Sequence, residues 1–79
     1  MAHKGRLLVL CALGDAEHTA GELAALTGLT PSALSQHLAR LREANLVTAR
    51  TRHRHRVYTL ASPHIRTLIS TLKTIYCPR

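Results

Sequence analysis

Residues 30–45 read TPSALSQHLARLREAN, and this stretch decides the fold. Threonine followed by proline is a helix start: Thr30 can cap a free amide, and the fixed φ of Pro31 suits the first helical position. Asn45 marks the end, because asparagine tolerates the left-handed conformation that closes many helices. Leu34, Leu38 and Leu41 recur at i, i+4 and i+7, one stripe turned to a core. At about 100° per residue, the opposite face carries Ser32, Ser35, Gln36 and Ala39, flanked by Arg40 and Arg42. A merely solvated face more usually mixes Glu with Lys in i, i+4 pairs. Small neutral hydrogen-bonders with cations at the margins predict a face that enters a groove.

Upstream, Thr19-Ala-Gly-Glu22 has the form of a capping box, with the threonine hydroxyl and the glutamate carboxylate each bonding the other's amide. It predicts a helix over residues 20–27 that buries Leu23 and Leu26. Gly28-Leu29 then turns tightly into the helix described above, and two helices so joined form a helix-turn-helix. A first helix is expected over 5–13, ended by Gly14. Its Leu7-Leu8-Val9-Leu10 run is apolar all round, which implies burial from more than one side. Residues 15–18 read as a polar turn.

Downstream, residues 46–49 and 57–60 are β-type and partly alternating. Between them lies RTRHRHR at 50–56. Two strands around a charged tip give a hairpin, and a hairpin after a helix-turn-helix is a wing. Ser62-Pro63 repeats the cap-plus-proline signal. A last helix over 63–76 then carries Ile65, Leu68, Ile69, Leu72, Ile75 and Tyr76 on one side. With no linker or repeat, the prediction is one mainly α domain over 1–79 with a β-hairpin wing, a winged helix-turn-helix.

Composition narrows the partner. The 79 residues carry a formal net charge of +7 and six histidines, with no Trp or Phe. A domain this basic expects a polyanion, double-stranded DNA before an anionic membrane. No run approaches the roughly 18 apolar residues of a membrane span. Without the long apolar stretch of a signal peptide the expected location is cytoplasmic. Two cysteines there are reduced by default, so a pair that oxidises is a signal rather than a staple. No acid/base or nucleophile constellation is visible, so neither an enzyme nor a cofactor is expected.

In this frame Ser32, Ser35 and Gln36 lie towards the helix N-terminus, where base edges and phosphates are reached. The Gln36 amide can pair bidentately with adenine. The serines can read bases or hold phosphate, and Arg40 is expected on phosphate. The period-2 spacing of Arg50, Arg52, Arg54 and Arg56 predicts all four on one face of the extended hairpin. Like charges opposite each other cost stability, so a polyanion is what makes the arrangement favourable. Arg52 and Arg54, near the tip, are expected in the minor groove or on phosphate. His53-x-His55 offers two ligands of a metal shell and lacks the rest. Cys11 and Cys77 read as small buried apolar side chains. A pairing between them is feasible too, since the last helix must return across the first for its stripe to be covered. A winged helix that binds a protein partner instead of DNA is the reading of another class, and the arginine-dense wing speaks against it.

These residues resemble the ArsR/SmtB family of bacterial winged-helix repressors. The likeness runs from HKGRLLVLCAL through GELAALTGLTPSALSQHLARLREANLV to the wing and VYTLASP. It implies a homodimer on an inverted-repeat operator, released by an inducer, with Ser32, Ser35 and Gln36 in the DNA-reading positions. Pro31 stands where the family often has another polar residue, and the wing tip lacks the usual glycine. Family members usually carry a further helix before the Leu7 helix; it is expected to be absent here. Dimerisation then falls on the apolar first helix and the stripe of the last.

The inducer site varies by branch. Metal- and arsenic-sensing members place Cys-x-Cys near the second helix, where residues 19–26 hold no cysteine. The zinc-sensing ligand positions correspond to Ser62, His64, Ile75 and Pro78, of which only the histidine suits, so a metal-responsive repressor is the lesser alternative and no metal is expected. The RLLVLC segment and the TIYCP ending resemble the reactive-sulfur-sensing, BigR/SqrR/YgaV-like branch. That resemblance implies that Cys11 and Cys77 join through a disulfide or short polysulfide bridge when reactive sulfur species or oxidants are present, releasing DNA.

Overall fold

A computed structural model describes residues 2–76. Its elements, in chain order, are α1 (Ala2–Asp15), β1 (His18–Thr19), α2 (Ala20–Thr27), α3 (Pro31–Glu43), β2 (Val47–Arg52), β3 (His55–Leu60) and α4 (Pro63–Tyr76). The strands form one antiparallel sheet in the order β1-β3-β2.

Local chemistry sets the bounds of α2 and α3. The Thr19 hydroxyl accepts from the Glu22 amide at 3.2 Å and the Glu22 carboxylate accepts from the Thr19 amide at 2.9 Å, closing the capping box. Gly28, at φ 74°, takes the left-handed position that ends α2. The Thr30 hydroxyl accepts from the Ala33 amide at 3.1 Å, and Pro31 opens α3. At the far end Asn45 sits at φ 62°. Its amide donates to the Arg42 carbonyl and the Leu46 amide reaches back to Leu41, both at 3.0 Å. That pair of bonds is a Schellman closure with asparagine in the position glycine usually holds. Ser62 caps α4 through the Ile65 amide at 3.2 Å.

The core lies between the helices and the inner face of the sheet. Val9 and Leu13 from α1, Leu23 from α2, and Leu34, Leu38 and Leu41 from α3 meet Val47, Tyr58, Leu60 and Ile69. This places the polar face of α3 outward by necessity, because its leucine stripe is fully committed to the interior.

Four expectations change. Gly14 does not end α1, which runs one residue past it. Its role is close approach: a Cβ there would come 2.9 Å from Cγ2 of Ile69, so the glycine lets α4 lie against α1. The turn expected over 15–18 ends in a strand, β1, recognisable only through its pairing of His18 with Tyr58 and Thr19 with Val57. Leu26 is 61% exposed. The inward stripe of α2 passes through Leu23, Ala24 and Thr27, which leaves Leu26 about 110° round the helix from its centre. On α4 the single apolar side divides. Ile69 is buried in the core and Ile65 packs half-buried against it, whereas Leu68 and Ile75 are 56% and 68% exposed.

Candidate nucleic-acid interface

Helix α3 presents Ser32, Ser35, Gln36 and Arg40 to solvent, as the leucine period requires. Inward from Gln36, the ring of His37 lies against the backbone of α1. A Cβ added at Gly5 would sit 2.5 Å from the His37 Nε2, so the absence of a side chain at Gly5 is what admits the ring. The outward face of α3 is thus fixed relative to α1 by its leucines and by this contact. A hollow of about 160 Å³ is lined jointly by Ala24 of α2, by Pro31, Leu34 and Ser35 of α3, and by Tyr58 of β3. The root of the hairpin and the first turns of α3 therefore border one depression.

The hairpin is longer and tighter than its sequence suggests. The strands extend to Arg52 and from His55, leaving a two-residue turn in which His53 has φ 50° and Arg54 φ 72°. Two successive left-handed residues are what the right-handed twist of a two-residue hairpin demands, and here neither is glycine.

That turn overturns the expectation of four arginines on one face. The register pairs Arg50 with Val57, Thr51 with Arg56 and Arg52 with His55. Even positions of β2 therefore oppose odd positions of β3, so Arg56 falls on the face opposite to Arg50 and Arg52. No arginine stands directly across from another. The like-charge cost expected across the strands is absent, and a counter-charge that sequence reasoning missed is present. Glu17, between α1 and β1, accepts from Arg50 Nη2 through Oε2 and from Arg52 Nη1 through Oε1, the latter at 3.2 Å. Only recognition of β1, which brings residue 17 alongside the hairpin, could have signalled it. Arg54 occupies the turn itself.

The remaining candidates separate. His53 and His55 are both exposed, and no group of three or more metal-capable side chains occurs among the described residues. Ser62, at one of the positions that correspond to zinc ligands, caps α4 instead. His64 is exposed beside it. Cys11 is 6% exposed on α1 and disulfide-bonded. Cys77 lies outside the described residues.

Among the ionisable groups of the described residues, one carboxylate is perturbed. Glu22 is held below its ordinary pKa, first by the hydrogen bond from the Thr19 backbone amide and then by neighbouring His18, whose Nδ1 is 3.4 Å away.

Comparison with known proteins agrees with this geometry. The profile described as "Bacterial regulatory protein, arsR family" matches residues 3–49. The HTH-type transcriptional regulator YgaV of Escherichia coli K12 is 43% identical over 79 residues, covering 99% of this chain and 80% of its own. The transcriptional activator HlyU of Vibrio cholerae is 44% identical over 77 residues, covering 98% of this chain and 71% of its own. The crystal structure of the transcriptional repressor BigR from Xylella fastidiosa superposes with a TM-score of 0.82 at 34% identity, covering 92% of this chain and 72% of that one. The chain belongs to the arsR family of bacterial regulatory proteins, DNA-binding transcriptional regulators built on the winged helix-turn-helix.

Proposed function

We propose that this regulator is a cytoplasmic, homodimeric repressor whose operator affinity is switched by oxidation or persulfidation of Cys11 with Cys77. The observation that carries the DNA half is the outward face of α3. Ser32, Ser35 and Gln36 are exposed beside Arg40, and the buried leucines behind them hold that neutral, hydrogen-bonding face outward. Gln36 reads a base edge, the serines read bases or hold phosphate, and Arg40, Arg52 and Arg54 take phosphates. The exposed Leu68 and Ile75 on α4 are the apolar surface a second subunit would cover.

The burial of Cys11 in α1 supports the switch. Helix α1 touches α3 where Gly5 meets His37, so a covalent tie at Cys11 that shifts α1 bears on the reading helix. A switch needs only that the tie be easier in one arrangement than the other. In the oxidation, two thiols lose two electrons and two protons. The sulfane sulfur of an inorganic polysulfide accepts the electrons and leaves as hydrosulfide. A thiolate makes the first attack.

The test is a fluorescence-anisotropy titration of the reduced protein on an inverted-repeat duplex, before and after polysulfide, for wild type and Cys11→Ser. The expected result is tight binding by both proteins when reduced and release by polysulfide of the wild type only. Polysulfide release of the Cys11→Ser protein would rule out the cysteine switch. Zinc or arsenite shifting the affinity of both proteins would favour a metal-responsive regulator instead.

A further inference from the structure

The ion pairs at the base of the wing have a consequence for how the protein meets DNA. Thr19, Val57 and Arg50 form one row across the three strands, since Val57 pairs with both of the others. The row lies on the face of the sheet turned away from the core. Val57 is nonetheless only 7% exposed, although it is no part of the core cluster. Glu17, beside β1, and Arg50 and Arg52, on β2, join across this row. The carboxylate comes from the residue just before β1 and meets both guanidinium groups of β2. One oxygen goes to each arginine, and each arginine uses one terminal nitrogen.

We propose that Glu17 is an intramolecular stand-in for DNA phosphate. It holds Arg50 and Arg52 in the free protein and yields them only when a duplex displaces it. Four features point this way. A carboxylate oxygen and a phosphate oxygen are the same kind of acceptor to a guanidinium. The arginine side chains are 60% exposed and that of Glu17 35%, so the exchange needs no unfolding. The bridge is split between two arginines, so one can be surrendered while the other stays held. Finally, it lowers the formal charge of this trio from +2 to +1 on the strand that leads to the tip. Non-specific affinity comes almost wholly from phosphate neutralisation, whereas specific complexes add base contacts. Glu17 therefore weakens binding to arbitrary DNA most and sharpens discrimination for the operator.

The inference rests on the DNA-binding reading above, and the test separates the two. Wild type, Glu17→Gln, Arg50→Ala/Arg52→Ala and the triple variant are titrated on a random-sequence duplex from 50 to 200 mM salt. On arbitrary DNA the carboxylate surrenders one arginine and keeps the other, so Glu17→Gln neutralises one more phosphate and steepens the salt slope by about 0.9. The Gln variant should thus bind more tightly than wild type, with an advantage about 3- to 4-fold larger at 50 mM than at 200 mM. In the arginine-less background the same substitution should do nothing. Equal or weaker binding by Glu17→Gln would overturn the proposal, as would an advantage that survives loss of both arginines. Failure of the wild type to bind any duplex would instead overturn the DNA-binding reading, and this inference with it.

Discussion

The wing turn sets stability against binding, and Arg54 is where the two can be separated. At φ 72° its backbone is in the left-handed region, which costs an L-residue roughly 1–2 kcal/mol. Glycine escapes that cost but gives back about 0.4–1 kcal/mol through the greater freedom of the unfolded chain. Arg54→Gly should therefore stabilise the fold by about 0.5–1 kcal/mol. For a domain of this length each kcal/mol moves the melting temperature by roughly 4–8 °C, so the gain should be about 4 °C. The same substitution removes a cation from the tip. If Arg54 takes a phosphate, affinity for any duplex falls and the salt slope becomes shallower by about 0.9. Arg54→Ala is the control, since it loses the charge but keeps the strained Cβ. It should weaken binding as much as glycine does and give no rise in melting temperature. Circular dichroism melts and anisotropy titrations read the two effects separately. A melting temperature raised equally by alanine would refute the strain argument. Unchanged binding by both variants would refute contact at the tip.

Two further substitutions probe the frame that holds the interface. Gly14→Ala gains about 1 kcal/mol in helix propensity. The new Cβ, however, would stand 2.9 Å from Cγ2 of Ile69, and overpacking of that kind costs about 1–3 kcal/mol. Urea unfolding should show a net loss near 1 kcal/mol, abolished in an Ile69→Leu background that lacks the β-branch; a stabilised single variant would contradict the close approach. The capping box gives a pH dependence. Because the folded-state pKa of Glu22 is depressed, its contribution is fully present above the ordinary value of 4.5 and is lost as pH falls through the lower folded-state value. Glu22→Gln should remove that acid step from melts recorded across the range, and an identical pH profile would show that the box is not its source.

What was legible in the sequence was local. Thr19 with Glu22, Thr30 with Pro31, Asn45, and Ser62 with Pro63 placed the ends of α2, α3 and α4, because a cap is formed within one turn of its own helix. The outward position of Ser32, Ser35 and Gln36 followed from the leucines at 34, 38 and 41, since a helix has only one opposite side. What could not be read was set by partners distant in the chain. Strand β1 is two residues long and exists only through its pairing with β3. Gly14 resembles a helix stop until Ile69 is seen against it. The facing of the arginines depended on a two-residue turn that no glycine announced, for His53 and Arg54 take the left-handed conformation themselves. Glu17 was hidden for the same reason as β1: it reaches the wing from the opposite edge of the sheet, more than 30 positions away in sequence.

On the proposed function, the outer face of α3 and the wing meet a duplex together. Titrating an inverted-repeat duplex into the labelled protein and following its backbone amides by NMR tests this directly. The predicted outcome is that the largest shifts fall on residues 31–36, on Arg40 and on 50–56, with α4 little changed. Shifts confined to α4 around Leu68 and Ile75, with 31–36 and the wing tip unmoved, would contradict the account.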